Sequence, residues 1–409
     1  MPSPDNSNHK KGEFCVKKVL FAALLLFLLI GWVYLDIEIG VKEAATAKQT
    51  PFLYADFQMY NEGQDFYDSL FSDIQKSKEY IYIHFFIIRN DEISNKFLGL
   101  LEDKAKQGVE VKLSTDRMGS FLFKKSMRER LRKAGVQFTF SGKPTLPHLF
   151  YTLQNRNHRR IIVIDGTTAY IGGFNMGKQH LNQDKRLGHW EDYHFRISGD
   201  GAQEMERQFL LDWKNNTGDS FPVHTRFLKN GNTRYEYLFT DGKGLAERYQ
   251  DWIMKASHSI VIASPYFIPG KKMEDELLEA RKRGVSIKIL VPLTSDFPLI
   301  KQAAYPYLRE LLKHGAEIYV YQNGFFHGKV MSIDGKHVMT GTPNFDTRTF
   351  YLNKESVCSI YDGPIIAEIQ KKLEDDFRIS MRVSDTYFDK LNIWERLLER
   401  TISIVSFYL

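Results

Sequence analysis

Cysteine is nearly absent from this chain, with only Cys15 and Cys358 among 409 residues. Two isolated thiols cannot form the disulfide framework that stabilises many small secreted domains. Neither thiol has a histidine in a nearby pattern that would mark a nucleophile, so both are predicted to be chemically inert. The sequence therefore excludes a disulfide scaffold and argues against thiol catalysis.

A dominant charge of one sign is also lacking. The chain has 56 Lys and Arg against 50 Asp and Glu, which gives a net charge of +6. This modest excess suits anionic partners, but no extended basic tract is present, and we therefore expect no nucleic-acid partner. Most of the charge is expected to be ordinary solvated surface.

Long apolar runs are absent except for one, at residues 19–35, which holds seventeen consecutive residues without a charge. Lysines precede the run and acidic residues follow it, which predicts a cytoplasmic N-terminus with the remainder of the chain outside. We predict a basic tail over 1–18, a transmembrane anchor over 19–38 and a linker over 39–50. The alternative is a signal peptide that is cleaved near residues 45–47. This cleavage site would lie farther from the apolar run than is usual.

One motif occurs twice with identical spacing, and it is the most informative feature present. A histidine is followed at +2 by a cation, at +7 by an aspartate, at +14 by a glycine and at +17 by an asparagine. The two copies are His158, Arg160, Asp165, Gly172, Asn175 and His327, Lys329, Asp334, Gly341, Asn344.

Strand periodicity places the histidine and the cation of each copy on one face, because residues two apart in a strand point the same way. The Asp-Gly pairs at 165 and 334 are then turns that fold the chain back. The returning segment brings a backbone that can approach a ligand closely, and an amide donor. We predict substrate binding by Gly173, Asn175, Thr342 and Asn344.

Two histidines and two cations are the groups that a double displacement at a phosphodiester needs. One neutral imidazole can attack phosphorus, while a protonated imidazole supplies the proton of the leaving alkoxide. Arg160 and Lys329 would stabilise the developing charge, so neither a metal nor another cofactor is required. Asp165 and Asp334 are included as catalytic candidates, with the alternative that they only shape the turn.

Each histidine should also have a carboxylate that fixes its tautomer. Acidic residues recur in roughly the same place beyond each asparagine, at Asp192 and Glu355. Arg348 is a further candidate, either for phosphate binding or for pairing with an acid.

These residues resemble the phospholipase D superfamily, and in particular its bacterial cardiolipin synthases. The resemblance covers about residues 60 to 382 and lies in residues 157–166 (NHRRIIVIDG), 172–177 (GGFNMG), 187–192 (LGHWED), 344–348 (NFDTR) and 352–355 (LNKE). It implies that His158 is the nucleophile and His327 the general acid, although the residues alone also allow the reverse. It also implies that Asp192 and Glu355 lie behind the histidines, with Asn175 and Asn344 on the phosphate.

One position departs from the family pattern: Arg160 stands where the family has lysine. Arginine keeps the charge and the affinity for phosphate, but it is bulkier and cannot change its protonation state. We expect activity to be retained, with an altered rate.

The flanking segments repeat as well, each half reading strand, helix, strand, helix and then the motif hairpin. Glycines at 108, 135, 284 and 315 are predicted to end helices before the next strand. The fold class is therefore α/β, with two phospholipase D-like α-β-α repeats related by a pseudo-twofold axis behind one transmembrane helix. We place the first half at 51–225 and the second at 226–385.

Residues 386–409 are predicted to form an amphipathic helix, with Leu391, Trp394, Leu398, Ile402, Val405 and Leu409 at helical spacing. Such a helix can lie in the lipid interface, or it can dock on the globular body.

The resemblance implies a membrane-anchored phosphatidyltransferase that converts two phosphatidylglycerols into cardiolipin and glycerol. Its partners would be the membrane and anionic phospholipid. A phospholipase D-type hydrolase is the first alternative, because water can take the place of the acceptor. A nuclease of the same superfamily and a catalytically inactive membrane scaffold are the others.

Overall fold

The N-terminal helix α1 spans Ser7–Glu43 in the computed structural model, which describes residues 7–225, 231–384, 386–391 and 393–402. Within these residues, Lys17–Glu43 is the one helical segment long and apolar enough to cross a membrane. Its apolar side chains project outward, and Phe27 is 72% exposed. The helix runs past residue 38, the predicted end of the anchor, and takes in the start of the predicted linker 39–50.

The C-terminal end of α1 is fixed to the globular body. The Asp36 carboxylate accepts hydrogen bonds from the backbone N–H groups of Phe150 and Tyr151, at 2.7 and 2.9 Å. Ile37 is buried in a cluster with Tyr151 and Leu352. The apolar helix therefore continues without a break onto the body, where the sequence had predicted a linker from residue 39.

The first half contains nine strands and five helices. Its strands are β1 (Lys48–Gln49), β2 (Leu53–Tyr60), β3 (Tyr80–Phe85), β4 (Glu110–Asp116), β5 (Gln137–Ser141), β6 (Ile161–Ile164), β7 (Thr168–Gly172), β8 (Trp190–Glu191) and β9 (His194–Gly199). Its helices are α2 (Gly63–Lys76), α3 (Glu92–Lys106), α4 (Lys125–Lys133), α5 (Leu149–Gln154) and α6 (Ala202–Thr217), with a 3₁₀ turn at Lys178–Leu181.

The second half repeats this order. Its strands are β10 (Thr233–Asp241), β11 (Ser259–Ala263), β12 (Phe267–Ile268), β13 (Ser286–Pro292), β14 (Glu317–Tyr321), β15 (Phe325–Phe326), β16 (Val330–Ile333), β17 (His337–Gly341), β18 (Phe345–Asp346), β19 (Lys354–Asp362) and β20 (Ser380–Arg382). Its helices are α7 (Leu245–Lys255), α8 (Gly270–Lys282), α9 (Ile300–Lys313), α10 (Thr347–Tyr351), α11 (Pro364–Arg378) and α12 (Ile393–Ile402), with a 3₁₀ turn at Phe388–Lys390.

A single mixed sheet runs through both halves in the order β20-β14-β13-β11-β16-β17-β19-β10-β2-β9-β7-β6-β3-β4-β5. The order is palindromic about the β10–β2 contact, where the strands pair antiparallel with Ala55 opposite Thr233. This arrangement places the pseudo-twofold axis between β2 and β10. The predicted two α/β halves are confirmed, and the structure adds that their sheets are continuous.

Helices cover both faces of the sheet. Helices α2, α3 and α4 enclose one apolar core in the first half, and α7, α8 and α9 enclose its counterpart in the second. On the opposite face, α6 and α11 pack into one core shared by both halves. Such burial on both faces explains the apolar β-branched composition of the strands.

The four glycines predicted to end helices do so. Gly108, Gly135, Gly284 and Gly315 have φ of 91°, 95°, 89° and 83°, in the left-handed region that suits a glycine after a helix. This prediction is confirmed.

Helix α12 docks on α9 along one side. Ile402 is buried against Ile268, Ile300 and Ala303, and Arg309 makes two hydrogen bonds to Glu399, at 2.6 and 2.8 Å. Its other side remains open, with Trp394 72% exposed. Of the predicted helix 386–409, residues 403–409, which include Val405 and Leu409, lie outside the described residues.

Candidate active site

Each motif histidine is held in place by backbone from the opposite half. The N–H of His158 donates to the carbonyl of Lys354, at 3.0 Å, and the N–H of His327 donates to the carbonyl of Glu191, at 2.7 Å. Strand β15, just before His327, pairs with β8 of the first half. The pseudo-twofold symmetry thus brings both histidines to the contact between the halves.

Both histidines line one cavity of about 980 Å³. Arg160, Asn175 and Asn344 line the same cavity. Lys329 lies behind its wall, 3% exposed, with Nζ donating to the carbonyl of His327. Arg160 makes the equivalent bond to the carbonyl of His158, at 2.7 Å. The two copies of the motif therefore form one site.

The carboxylates that orient the histidines are exchanged between the halves. Nδ1 of His158 lies 2.9 Å from Oε1 of Glu355, and Nδ1 of His327 lies 2.6 Å from Oδ2 of Asp192. An Nδ1–H that donates to a carboxylate leaves Nε2 as the reactive nitrogen of each ring. This is the arrangement that fixes the tautomer in other histidine-based sites.

Burial keeps both imidazoles neutral. Burial lowers the pKa of His158 to about 4, and the positive charge of Arg160 adds to this, against the opposing effect of Glu355. Burial also lowers the pKa of His327 well below its usual value, with further lowering by Lys329 and Arg160. A neutral imidazole is the form that can act as a nucleophile.

The supporting carboxylates differ in their protonation behaviour. Burial alone would raise the pKa of Glu355, but its interaction with His158, a hydrogen bond from Thr342 and the charge of Arg160 lower it. Burial raises the pKa of Asp192, although Lys329 opposes the shift. Glu355 therefore stays ionised beside His158.

The two cations also differ. Burial lowers the pKa of Arg160 to about 10, while Glu355 and Asp192 oppose the shift. Burial lowers the pKa of Lys329 to about 7, with Asp192 opposing and Arg160 reinforcing. At neutral pH Arg160 is charged, whereas Lys329 is close to its titration midpoint. Arginine at this position thus guarantees one permanent charge.

The asparagine side chains face the cavity. Oδ1 of Asn175 accepts a hydrogen bond from the backbone N–H of Ile87, at 3.0 Å, which leaves its amide nitrogen as a donor. Oδ1 of Asn344 is buried without a hydrogen-bond partner. The amide nitrogen of Asn175 is therefore available to a phosphate oxygen, whereas the unpartnered Asn344 oxygen can accept a hydrogen bond from a ligand hydroxyl.

Gly173 and Thr342 lie beside the carboxylates. A Cβ on Gly173 would lie 2.0 Å from Oδ1 of Asp192, so only glycine leaves room for that side chain. Thr342, at the matching position, donates its hydroxyl hydrogen to Oε2 of Glu355, at 2.5 Å. These two residues position the supporting acids, and neither lines the cavity.

Asp165 and Asp334 lie at the opposite end of the motif hairpins. The Asp165 carboxylate accepts hydrogen bonds from the backbone N–H groups of residues 78–80, at 2.8 to 2.9 Å. Asp334 binds the N–H groups of residues 257–259 in the same way. Both have a left-handed backbone, with φ of 50° and 53°, which suits the turn. The structure does not bring them to the histidines.

Arg348 lines the cavity but already has protein partners. Its guanidinium donates to Oε1 and the carbonyl oxygen of Gln154, at 2.8 and 3.0 Å. The carboxylate of Asp346 accepts the N–H of Thr349, at 2.7 Å, and attracts the guanidinium of Arg348 electrostatically. Arg348 thus ties the two halves together next to the site.

Several residues of the cavity wall were not selected from the sequence. His180 and Tyr266 belong to it, and the hydroxyl of Tyr266 donates to Asp296, at 2.6 Å. Arg89, Lys124 and Lys178 also line the cavity. None of these has a counterpart in the repeated motif, so the comparison of the two halves could not find them.

The fold and the paired His-cation motifs define a two-half phospholipase D-like protein. A sequence-family model described as "Cardiolipin synthase, PLD-like domain" matches residues 70–213 and 249–377. The chain belongs to this family and is a phosphatidyltransferase of the phospholipase D superfamily.

Two bacterial cardiolipin synthases are similar in sequence to this chain. The minor cardiolipin synthase of Bacillus subtilis is 34% identical over 396 residues, which cover 96% of this chain and 97% of that protein. A cardiolipin synthase of Oceanobacillus iheyensis is 34% identical, over 85% of this chain and 74% of its own.

Two solved structures share the fold. Phosphatidylserine synthase from Haemophilus influenzae superposes with a TM-score of 0.70 at 15% identity, over 91% of this chain and 99% of that one. Polyphosphate kinase from Porphyromonas gingivalis gives a TM-score of 0.56 at 14% identity, over 86% of this chain and 53% of that one. At these identities the likeness concerns the fold alone.

Proposed function

We propose that this protein transfers a phosphatidyl group from one phosphatidylglycerol to another, which yields cardiolipin and glycerol. The observation that carries the proposal is the pair of histidines, His158 and His327, in one cavity with each Nδ1 bound to a carboxylate. Such a pair supplies a nucleophile on one side of a phosphodiester and a proton donor on the other. The identity to cardiolipin synthases over nearly the whole chain supports the choice of substrate.

In the first step, Nε2 of His158 attacks the phosphorus of phosphatidylglycerol. The bond from phosphorus to the glycerol oxygen breaks, and the alkoxide takes a proton from Nε2 of His327. The imidazole becomes a phosphohistidine, whose positive charge Glu355 stabilises through Nδ1–H. Arg160, Asn175 and Asn344 stabilise the charge on the phosphoryl oxygens.

In the second step, the roles reverse. Neutral His327 takes the proton from the terminal hydroxyl of a second phosphatidylglycerol, and that oxygen attacks phosphorus. The phosphorus–nitrogen bond breaks, and His158 returns as a neutral imidazole. Water in place of the second lipid would give phosphatidic acid by the same route.

The role of His327 requires a protonated imidazole, although its pKa is depressed in the cavity. The phosphodiester brings a negative charge between the two histidines, and a nearby opposite charge favours the protonated form. We expect substrate binding to raise the pKa of His327. Because the surrounding cavity still favours the neutral imidazole, protonated His327 gives its proton readily to the leaving alkoxide.

We further propose that α1 is a retained membrane anchor with the catalytic body outside the cytoplasm. The packing of Asp36 and Ile37 against the body supports retention, because cleavage near residues 45–47 would remove these contacts. The basic N-terminal flank supports the orientation.

A Lys336→Cys variant, in a Cys15→Ser background, should react with an impermeant maleimide in intact cells. Reaction only after permeabilisation would reverse the orientation.

The decisive experiment is incubation of the purified full chain with phosphatidylglycerol vesicles, with products identified by mass. Cardiolipin and glycerol are expected. Rapid quenching in denaturant at mildly alkaline pH, where a phosphorus–nitrogen bond survives, should trap a phosphatidyl-enzyme that His158→Ala abolishes, whereas His314→Ala, a change at an exposed histidine, retains it. Phosphatidic acid alone would indicate a hydrolase. Trapped lipid on His158→Ala would overturn the nucleophile assignment.

A further inference from the structure

We propose that Arg89 and Lys178, with Lys124 beside them, form a second anion subsite that binds the phosphodiester of the acceptor lipid. The inference rests on the proposed function and adds to it a place for the second phosphatidylglycerol. All three cations line the same cavity as the histidine pair.

Among the residues that the structure describes, none of these three cations forms an ion pair within 4 Å, although Asp184 attracts Lys178 and Asp296 attracts Arg89 at longer range. The carboxylates of the same wall are already engaged. Asp91 accepts the backbone N–H groups of Ser94 and Lys178, at 3.0 and 2.9 Å. Asp184 binds the guanidinium of Arg186, at 2.8 Å. The wall therefore carries three cationic side chains that are not held in close ion pairs and can turn to an anionic ligand.

The cations lie on neighbouring segments beside the phosphate-binding amide. Ile88 and Met176 form a parallel bridge, and the N–H of Arg89 donates to the carbonyl of Met176, at 2.9 Å. A Cβ on Gly177 would lie 2.7 Å from Cγ of Arg89, so the arginine stem crosses this backbone. Lys178 follows immediately, three residues after Asn175.

Lys124 belongs to the adjoining loop. The hydroxyl of Ser120 in this loop accepts the N–H of Ile88, at 2.9 Å, which fixes the loop against the Arg89 segment. Leu122, in the same loop, also lines the cavity. An exposed lysine beside an apolar side chain suits a lipid headgroup whose chains leave toward a membrane.

The charge of Arg89 acts on His180, a buried residue of the same cavity wall. Burial is the main cause that lowers the pKa of His180, and the charges of His327, Arg160 and Arg89 add to it. His180 stands against Trp190, whose ring centroid lies 4.8 Å from that of His327. Arg89 therefore lies on the side of the cavity where His180 and Trp190 pack beside His327.

The second half has no equivalent group. The parallel pair Phe267–Phe345 corresponds to Ile88–Met176, because Phe345 and Met176 each follow the site asparagine. The positions that match Arg89 and Lys178 are then Ile268, which is fully buried, and Thr347. The cation group therefore breaks the symmetry of the duplicated site.

Arginines at the other end of the cavity are committed to the protein. Nη1 of Arg156 donates to the carbonyl of Gly142, at 2.8 Å, and Arg348 binds Gln154. The cations of the proposed subsite are therefore free to bind a ligand, whereas Arg156 and Arg348 at the other end already bind protein groups. This asymmetry gives donor and acceptor lipids different places.

The acceptor chemistry fits such a subsite. Phosphatidylglycerol, unlike water or glycerol, carries a phosphodiester joined to its attacking hydroxyl through a glycerol chain. Cations that bind this diester would orient the hydroxyl toward the phosphohistidine and favour lipid over water. The subsite therefore determines acceptor preference.

The test compares two acceptors with purified full-length protein in mixed micelles of phosphatidylglycerol. Labelled glycerol exchange into phosphatidylglycerol reports the donor step with an uncharged acceptor. Cardiolipin formation reports the lipid acceptor. We expect Arg89→Gln and Lys178→Gln to reduce cardiolipin formation about tenfold or more, as loss of a charged hydrogen bond does, while exchange stays within about twofold.

Lys336→Gln is the matched control, because it removes the same charge at the exposed hairpin turn. Equal losses of exchange and cardiolipin in the subsite variants would overturn the assignment to the acceptor, and unchanged cardiolipin formation would also overturn it. Absence of cardiolipin with the unaltered protein would refute the proposed function itself. Retained exchange shows that a variant is folded.

Discussion

Nδ1 of His158 and Oε1 of Glu355 lie 2.9 Å apart, although the two residues are 197 positions apart in the chain and belong to opposite halves. The same exchange occurs between His327 and Asp192. Neither half holds a complete histidine-carboxylate pair. One half alone therefore lacks the groups that orient its own histidine.

We expect Glu355→Gln to slow formation of the trapped intermediate at His158 about 10²-fold or more, because the amide cannot stabilise the charged phosphohistidine. The measurement is single-turnover trapping with phosphatidylglycerol. Glu317→Gln, at a partly exposed position on β14 remote from the cavity, serves as the control. Normal trapping by the Glu355 variant would contradict the exchanged pairing.

Asp165→Ala should lower stability and leave chemistry intact, because its carboxylate binds backbone N–H groups far from the histidines. Losing a charged acceptor for buried or partly buried donors costs about 1 to 3 kcal/mol. Chemical denaturation measures the loss, and kcat on the folded fraction measures the chemistry. Asp334→Ala should behave alike in the second half. A large fall in kcat with unchanged stability would restore a direct chemical role.

Lys329 should make lipid binding sensitive to pH. Its pKa of about 7 means that its charge is lost as pH rises above neutrality, so KM for phosphatidylglycerol should increase on the alkaline side. Lys329→Arg should flatten this increase, because the buried Arg160 keeps a pKa of about 10. Steady-state KM values between about pH 6 and about pH 9 provide the comparison. Identical alkaline profiles for both proteins would exclude Lys329 as the titrating group.

Gly173→Ala should impair catalysis through Asp192. The added methyl would lie 2.0 Å from Oδ1 of that carboxylate and push it away from His327. We expect kcat to fall about tenfold or more, because misplaced groups that orient a catalytic residue cost such factors. Gly99→Ala is the control, since its methyl meets no atom within 4 Å and alanine suits helix α3 better. Wild-type kcat for Gly173→Ala would show that Asp192 can adjust.

The sequence predicted the elements that repeat. The motif spacing, the helix-ending glycines and the duplicated order of strands all appear twice, so each copy supports the other. The fold class followed from this, as did the expectation that His158 and His327 share one phosphate. Local periodicity also placed Asp165 and Asp334 in turns, where the structure has them.

Other features depend on contacts between halves, which local patterns do not encode. The exchange of Glu355 and Asp192 arises from the pairing of β8 with β15 and of Asn157 with Lys354, across long stretches of chain. Thr342 was expected to bind substrate as part of the segment that returns after the turn, yet its hydroxyl binds Glu355. Arg89 and Lys178 have no repeated partner, and only the folded cavity brings them together.

The C-terminal part of helix α1 packs against the globular body, where Asp36 accepts two backbone hydrogen bonds from α5. If the apolar run spans a bilayer, the length of the continuous helix α1 would determine the height and tilt of the cavity above that bilayer. Each residue inserted between the apolar run and Asp36 would raise the body by about 1.5 Å and rotate it by about 100°. The number of residues in this helix would therefore determine the distance between the cavity and the lipid surface.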